Sequence, residues 1–336
     1  MKKYKVGMYG GTFDPLHTGH QYCIENASKL CETLYIILCH STTNFICYKQ
    51  RLTWLYKLCH SLKIKNIKII PIEYHDTKED YEWGKGTQEI KNAIGEPVNI
   101  VFFGSDYRNA GKEELWSESV ISYYDRGKIP ISSSQINKDS MKYWEYLPSI
   151  VKPYYVKKIL IIGSESTGKT TMVKTLAEHF NTNYVEEYGR IACEGILNYE
   201  ALTNDFYIET LINHKKEILD KCQSSNKLLF VDTCALTTGY YNKILSNDFK
   251  IQNLAWFIHK NTEWGLVLFL EPTNRFVQDG TRSKMIESKR DHYSNDLKNY
   301  YNFGNVKFKT ISSNNYEERF LEAKEYILDL INRKVD

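Results

Sequence analysis

Short apolar runs alternate with longer segments of helical periodicity through the first half of the chain. The apolar runs that predict strands are residues 6–10, 34–39, 67–72, 98–103 and 120–124. Segments 21–30 and 50–62 have the spacing of amphipathic helices, the second with one apolar face formed by Leu52, Leu55, Tyr56, Cys59 and Leu62. This β-α-β alternation predicts a doubly wound parallel sheet, whose ligands bind beyond the carboxyl ends of its strands.

The pattern restarts after a Tyr-rich link bracketed by Pro148 and Pro153. Apolar runs at 158–162, 228–232, 266–270 and 306–311 predict four more strands, and helical periodicity covers 172–180, 202–222, 248–261 and 315–334. A chain of 336 residues is long enough for two domains. The sequence therefore predicts two doubly wound parallel-sheet domains, at residues 1–150 and 151–336.

Composition narrows the classes of partner. The 44 basic and 41 acidic residues give a net charge of +3, which is too balanced to indicate nucleic-acid or membrane binding by bulk charge. The eight cysteines form no C-x-x-C pair and are interpreted as buried thiols in a reducing compartment. No apolar run approaches the roughly 20 residues that span a bilayer. We expect a cytoplasmic protein without nucleic-acid partners or membrane insertion. The sequence leaves open whether it forms a homo-oligomer.

A phosphate-binding loop opens the second half. Residues 163–170 match the pattern G-x-x-x-x-G-K-[ST] between a predicted strand and a predicted helix. Backbone N–H groups in such a loop close around phosphates, Lys169 supplies a positive charge, and the Thr170 hydroxyl belongs to a Mg²⁺ shell. The predicted ATP contacts are Gly163, Ser164, Glu165, Ser166, Thr167, Gly168, Thr170 and Thr171.

A second ATP site follows the first strand. The segment from Gly10 to His20 reads GGTFDPLHTGH and resembles the signature of the HxGH nucleotidyltransferases. In those enzymes a phosphate oxygen attacks the α-phosphorus of ATP and pyrophosphate leaves. Two imidazoles, His17 and His20, lie on one face at the start of a helix and are the predicted catalytic groups. The predicted ATP contacts here are Gly11, Thr12, Phe13 and Gly19, with Gly104 and Asp106 at the end of another strand.

Two further segments complete this site. Residues 131–137 occupy the place of a second phosphate motif, with Ser132, Ser133 and Ser134 as predicted ATP contacts, but Asn137 stands where HxGH enzymes have a phosphate-binding arginine. The departure predicts weaker ATP binding, which Asn137→Arg should restore by about tenfold. Trp83, in a polar segment, is a candidate to stack on a planar cationic ring.

Three features downstream of the phosphate loop predict a kinase for a small substrate. Glu187 follows the next short strand and is the candidate acid for the acceptor hydroxyl, with Arg190 as a substrate contact. Asp232 closes an apolar strand, where an acid binds Mg²⁺. Arg282, in the glycine-containing segment 276–282, is the predicted catalytic arginine of a lid.

With both sites in place, the chain resembles the NadR family, bifunctional nicotinamide-mononucleotide adenylyltransferases and ribosylnicotinamide kinases, over essentially its whole length. The resemblance rests on residues 10–20, 50–55, the Trp83 segment, 131–137 with Tyr143 and Trp144, the phosphate loop, 187–190, 230–233 with 237–238, and 279–283. It implies that the second domain phosphorylates nicotinamide riboside, and that the first joins the mononucleotide (NMN) to AMP, giving NAD. ATP and Mg²⁺ follow as cofactors.

The sequence departs from the family in two further respects. No room is expected before the first strand for the helix-turn-helix domain of some members, and Cys234 replaces a second acid two residues after Asp232. Two alternatives stay open: a fused pantetheine-phosphate adenylyltransferase and dephospho-CoA kinase, and a nucleotide sensor with decayed catalysis. The identity of the acceptor that is turned over, or the absence of turnover, separates these three hypotheses.

Overall fold

A computed structural model describes residues 3–74, 83–105, 113–192, 202–277 and 288–332. The chain divides into two compact units between Lys152 and Pro153. Each unit contains a five-stranded sheet in which every pair of neighbouring strands is parallel. The predicted fold class, two parallel α/β sheets in succession, is confirmed.

The first sheet has the strand order β3-β2-β1-β4-β5. Its strands are β1 (Tyr4–Gly11), β2 (Cys31–His40), β3 (Ile67–Glu73), β4 (Ile100–Gly104) and β5 (Val120–Tyr124). Its helices are α1 (Thr18–Leu30), α2 (Tyr48–Ser61), α3 (Trp83–Ile94) and α4 (Ser133–Lys138), and a helical turn, α5 (Lys152–Tyr155), precedes the second sheet. Strand β2 is buried on both faces from Leu34 to Leu38, as expected where helices cover both sides of a sheet.

The second sheet has the order β10-β9-β6-β8-β7. Its strands are β6 (Lys157–Ile162), β7 (Asn183–Val185), β8 (Leu228–Asp232), β9 (Leu266–Leu270) and β10 (Lys309–Ile311). Its helices are α6 (Lys169–His179), α7 (Tyr188–Ala192), α8 (Asn204–Cys222), α9 (Ala235–Leu245), α10 (Phe249–Lys260), α11 (Arg290–Phe303) and α12 (Tyr316–Asn332). Helices α6 and α12 contribute to one apolar core against β6, β8 and β9.

Helix α2 corrects the predicted apolar face. The side chains that it buries are Arg51, Trp54, Leu55, Leu58 and Cys59, whereas Tyr56 is 56% exposed. The burial of Arg51 rotates the buried face away from the one that hydrophobicity alone indicates. The pattern also missed three helices. It predicts a polar loop at Trp83, where α3 begins. It missed α9 because that helix is apolar on most of its circumference, and α11 because it is rich in Tyr and Asn, which are weak helix formers.

Within the described residues, no helix combines the length and the apolar character needed to cross a bilayer. None of the seven cysteines in these residues is in a disulfide, and four of them are buried. Cys47 is exposed, so the interpretation of all cysteines as buried thiols is wrong at this position. The described chain holds no cluster of three or more His, Cys, Asp or Glu side chains arranged for a metal.

Candidate active sites

The first site lies where the strand order of the first sheet reverses. Strands β1 and β4 are hydrogen-bonded neighbours, and their carboxyl ends, Gly11 and Gly104, open into a cavity of about 550 Å³. A parallel sheet binds ligands at such a switch point because the connections on either side run to opposite faces of the sheet. The cavity lining includes the predicted contacts Gly11, Thr12, His17, Gly19, His20, Gly104, Ser132, Ser133 and Ser134.

His17 and His20 form the start of α1 together. The Nδ1 atom of His17 accepts from the backbone N–H groups of Gly19 and His20 at 3.1 and 3.4 Å, and Nδ1 of His20 accepts from the N–H of His17 at 3.3 Å. The rings are stacked, with centroids 3.7 Å apart. An Nδ1 atom that accepts a hydrogen bond carries no proton, so each neutral imidazole carries its proton on Nε2 and can donate it to a phosphate oxygen. A side chain at Gly19 would come within 3.0 Å of the His17 ring.

Phe13 supports this pair from below. Its side chain is fully buried and its ring packs edge-on against His20, with centroids 4.9 Å apart. Its backbone takes φ of 51°, a left-handed conformation that is uncommon for a bulky residue. The side chain of Phe13 does not line the cavity, so the predicted ATP contact at this position concerns its backbone and stays a prediction.

A buried arginine holds the back of the loop. Arg51, inaccessible to solvent, donates to the backbone carbonyl oxygens of Thr12 at 2.5 Å, Ile46 at 2.8 Å and Cys39 at 3.3 Å. The Asp14 carboxylate accepts from the N–H groups of Phe45 and Ile46 at 2.9 and 3.0 Å. Burial lowers the pKa of Arg51, and the nearby Asp14 charge opposes that shift.

Helix α4 docks on the same loop. Ser132 caps the helix and exchanges hydrogen bonds with Gln135, while Ser133 Oγ donates to the Pro15 carbonyl oxygen at 3.0 Å. Asn137 Nδ2 donates to the Asp14 carbonyl oxygen at 2.8 Å. Asn137 thus joins a set of side chains that bind the loop's carbonyl oxygens.

The second site is the loop between β6 and α6. Gly163 and Gly168 have φ of 153° and 86°, and a Cβ atom there would lie 2.6 Å from the Leu270 carbonyl oxygen or 2.7 Å from the Tyr316 ring. Both positions therefore require glycine. Lys169 Nζ, which is buried, donates to the Ser164 carbonyl oxygen at 3.0 Å, so the loop curls around the lysine.

Two arginines bind the carbonyl oxygens of this loop. Arg319, from α12, donates to the Thr167 carbonyl oxygen at 2.7 Å, and Arg290, from α11, donates to those of Ser166 at 2.8 Å and Glu165 at 3.3 Å. Because the two arginines bind carbonyl oxygens on the outer side of the loop, the inner surface of the loop is richer in backbone N–H donors. Such a surface suits a polyanion.

Asp232 and Thr170 fit a Mg²⁺ site. The Thr170 hydroxyl donates to Asp232 Oδ2 at 2.5 Å, and within the described residues Oδ1, which is buried, has no hydrogen-bond partner. Burial raises the pKa of Asp232, whereas the Lys169 charge lowers it. A buried carboxylate oxygen without a partner beside a hydroxyl supplies the hard oxygen ligands that Mg²⁺ requires. Arg190 Nη1 lies 3.3 Å from Thr170 Oγ1, at the edge of this site.

The two acids after β7 have different environments. Glu186 pairs with Lys174 at 2.9 Å on a partly exposed surface. The charge of Glu187, in contrast, contributes to the raised pKa of Asp232, so these two carboxylates interact electrostatically. The structure thus brings together Lys169, Thr170, Glu187, Arg190 and Asp232.

Other sequence predictions are resolved differently. Cys234 is the N-cap residue of α9, and its side chain is buried with Sγ 3.1 Å from the Tyr301 hydroxyl. The buried thiol therefore does not make the contacts that an exposed acid would make at this position. Thr171 is exposed on the first turn of α6. Asp106, Arg282 and the side chain of Trp83 lie outside the described residues.

Sequence reasoning assigned no role to Arg51, Arg290 or Arg319. The signal for two of them was available, because Arg51 occurs in the buried stripe of α2 and Arg319 in that of α12, with Ala323 and Ile327. A charged residue at a core position must find several partners to be tolerated. Arg290 had no such signal, since it lies at the start of a polar helix.

The comparisons with known proteins agree with this division. Residues 8–82 match the family model described as cytidylyltransferase-like, and residues 158–319 match the model described as an AAA domain. The chain is 28% identical to the trifunctional NAD biosynthesis/regulator protein NadR of Escherichia coli, over 99% of this chain and 85% of that protein. It is 35% identical to phosphopantetheine adenylyltransferase of Helicobacter acinonychis, over 20% of this chain and 44% of that protein.

Two solved structures share the whole fold. A crystal structure of NadR protein in complex with NR superposes with a TM-score of 0.82 at 20% identity, covering 100% of this chain and 98% of the other. A crystal structure of NadR protein in complex with NAD and AMP-PNP gives 0.81 at 21% identity, covering 100% and 99%. The similarity therefore extends through both sheets in the same order.

Proposed function

We propose that this chain, which is NadR-like over almost its whole length, makes NAD in two ATP-dependent steps. The second unit phosphorylates nicotinamide riboside to NMN, and the first unit adenylylates NMN to NAD with release of pyrophosphate. The observation that carries the proposal is that each sheet has its own phosphate loop at the carboxyl ends of its strands, in a chain similar to NadR across 99% of its length. ATP serves both sites.

The adenylyl transfer requires charge stabilisation rather than a protein nucleophile. A phosphate oxygen of NMN attacks the α-phosphorus of ATP, and the bond to the β-phosphate oxygen breaks. His17 and His20 donate Nε2–H groups toward phosphate oxygens, because backbone N–H groups occupy both Nδ1 atoms. The serines at the start of α4 line the same cavity. Pre-oriented donors of this kind stabilise the charge that develops in the transition state.

The kinase step uses the side chains around Lys169. The 5′-hydroxyl oxygen of the riboside attacks the γ-phosphorus of ATP, Glu187 accepts the hydroxyl proton, and ADP leaves. Lys169 and Arg190 supply positive charge at the phosphates. Asp232 and Thr170 would hold Mg²⁺, which would supply neutralisation of the phosphate charge during transfer. A cytoplasmic location is part of the proposal, since both substrates and ATP are small intracellular metabolites.

One assay tests the proposal directly. The full chain is incubated with Mg-ATP and nicotinamide riboside, and NMN and NAD are separated by chromatography. We expect both products, with NMN appearing first. A second incubation with pantetheine phosphate tests the rival, whose support covers only 20% of this chain. Turnover of pantetheine phosphate in preference to NMN selects the rival, and binding of ATP without turnover of any acceptor selects a sensor.

A further inference from the structure

A buried histidine outside both sets of predicted residues lies behind the kinase site. His214 belongs to α8 and is 7% exposed, within a buried stripe that is otherwise largely apolar. Its Nδ1 atom accepts from the backbone N–H of Tyr188 at 3.4 Å. Burial lowers the pKa of His214 to about 4, so the imidazole is neutral at physiological pH. A neutral ring that accepts at Nδ1 has its proton on Nε2.

Because the Tyr188 N–H occupies Nδ1, we assign the approach of the ring to a second segment, at Thr233, to Nε2. Within the described chain, His214 Nε2 makes no hydrogen bond of ordinary geometry, but the backbone of Thr233 is close enough to favour the protonated ring. Thr233 is itself constrained, with φ of 62° and its N–H bonded to the Ile161 carbonyl oxygen at 3.0 Å. A left-handed threonine persists only where its surroundings hold it.

These two contacts join the chain segments that carry the kinase acids. Tyr188 directly follows Glu187, and Thr233 directly follows Asp232. Helix α8 holds Tyr188 a second time, because Asn213 Nδ2 donates to the Tyr188 hydroxyl at 3.0 Å. One imidazole thus lies between the backbone of the acceptor-site acid and the backbone of the metal-site acid.

We propose that His214 is a positioning residue for the kinase reaction, which sets the separation of Glu187 and Asp232 by contacting the backbone that follows each. The inference rests on the proposed kinase function and adds a residue to it. Transfer in line needs the acceptor hydroxyl and the γ-phosphate held within a fraction of an ångström. A displacement of about 1 Å costs on the order of 100-fold in rate.

Two variants separate the two ends of the contact. The amide of asparagine reaches about as far as Nδ1, so His214→Asn keeps an acceptor for Tyr188 and loses the group that faces Thr233. The amide of glutamine reaches about as far as Nε2, so His214→Gln does the reverse. We expect His214→Gln to lower kcat with riboside about tenfold or more while the Mg²⁺ requirement is unchanged. We expect His214→Asn to raise the Mg²⁺ concentration for half-maximal activity several-fold.

Thr210→Val is the matched control. Thr210 lies one turn earlier on the same buried stripe of α8, is 2% exposed, and its hydroxyl has no partner among the described residues. Removing an unpaired buried hydroxyl in a side chain of nearly the same shape should leave kcat, both KM values and the Mg²⁺ requirement unchanged. Far-UV circular dichroism and the urea midpoint of kinase activity, measured on every variant, report whether the second unit is folded.

The outcomes distinguish this inference from the proposed function. If both His214 variants lose kinase activity equally, and this loss follows their loss of thermal stability, the positioning role is overturned. The proposed kinase function would still stand. If the parent does not turn over riboside, Mg²⁺-dependent binding of a non-hydrolysable ATP analogue still tests the Asp232 end, because His214→Asn should weaken it and His214→Gln should not. The opposite order would refute the proposal.

Discussion

At the scale of single residues, Asn137 makes a contact of its own at a position where an arginine was expected. The sequence predicted a deficit in phosphate binding, because asparagine stands where an arginine is expected. The structure places the amide on the Asp14 carbonyl oxygen at 2.8 Å, within the phosphate loop itself. Asn137 therefore has a role of its own, and an arginine introduced there must give up this bond.

The revised expectation for Asn137 is a smaller gain. A charge-assisted bond to phosphate contributes about 1.5–3 kcal/mol, and the neutral bond to Asp14 contributes about 1 kcal/mol. The net gain of about 0.5–2 kcal/mol means that Asn137→Arg should raise kcat/KM for ATP in adenylyl transfer by about two- to thirtyfold. Asn137→Ala, which loses the loop contact without adding charge, should lower it about fivefold. An arginine variant no better than the alanine variant would show that the position does not face phosphate.

Trp83 remains a prediction for the nicotinamide ring. It begins helix α3, and Gly86, Thr87 and Ile90 of that helix line the cavity. Trp116 also lines the cavity, but the Lys91 ammonium already lies 5.0 Å from its ring centroid. A second cation is disfavoured beside the first, so we assign the pyridinium to Trp83.

The change Trp83→Ala should raise the KM for NMN about 5- to 30-fold, because stacking on a cation contributes on the order of 1–2 kcal/mol when desolvated. The KM for ATP in the same steady-state assay is the control and should hardly move. A proportional rise in both KM values would instead indicate that Trp83 only packs against neighbouring residues and does not stack on the nicotinamide ring.

At the scale of elements, helix α12 stabilises the phosphate loop of the second unit through Arg319. Arg319, 1% exposed, donates to the carbonyl oxygens of Ser313, Thr167 and Glu271 and to the Thr273 hydroxyl, at 2.5 to 2.8 Å. These acceptors belong to the phosphate loop and to the segments that follow β9 and β10. One side chain thus joins three strand ends of the second sheet.

Replacing that guanidinium should destabilise the second unit selectively. Arg319→Met leaves four acceptors without their donor, for an expected loss of about 3–5 kcal/mol. The two activities, followed separately along a urea titration, measure this: the midpoint for kinase activity should fall and that for adenylyl transfer should stay. Lys324→Met, which removes a cation from the same helix outside its buried stripe, is the control. An equal urea midpoint of kinase activity in both variants would contradict this stabilising role of Arg319.

At the scale of the whole molecule, the chain has two independent phosphate sites. Each is built at the carboxyl edge of its own sheet, and each has its own arginine behind the loop. Two chemistries that share only ATP and NMN can then be removed one at a time.

Lys169→Ala should abolish riboside phosphorylation, because it removes the ammonium that the loop surrounds, and should leave NMN adenylylation nearly intact. His20→Ala should do the reverse, since it removes one Nε2–H donor and the partner of His17 in the capping of α1. Each variant is assayed with riboside and with NMN. Loss of both activities in a variant that is still folded would contradict two independent sites.

The sequence by itself determined the parts that depend on local order along the chain. Apolar runs separated by helices specify parallel strands, and strands β5, β8 and β9 match the predicted ranges residue for residue. The two phosphate loops were equally legible, because a loop that surrounds phosphate needs its glycines, imidazoles or lysine at fixed spacings between a strand and a helix. Backbone geometry of this kind is encoded within a dozen residues.

Only the tertiary structure decided which distant groups complete the sites. Arg51, Arg319 and Asn137 contact loop carbonyl oxygens 39, 152 and 123 residues away in sequence. Cys234 and His214 acquire their environments from helices that fold beside them. Such contacts leave no local pattern, because a buried charge or amide is specified by the acceptors around it in space, and these come together only when the sheet has formed.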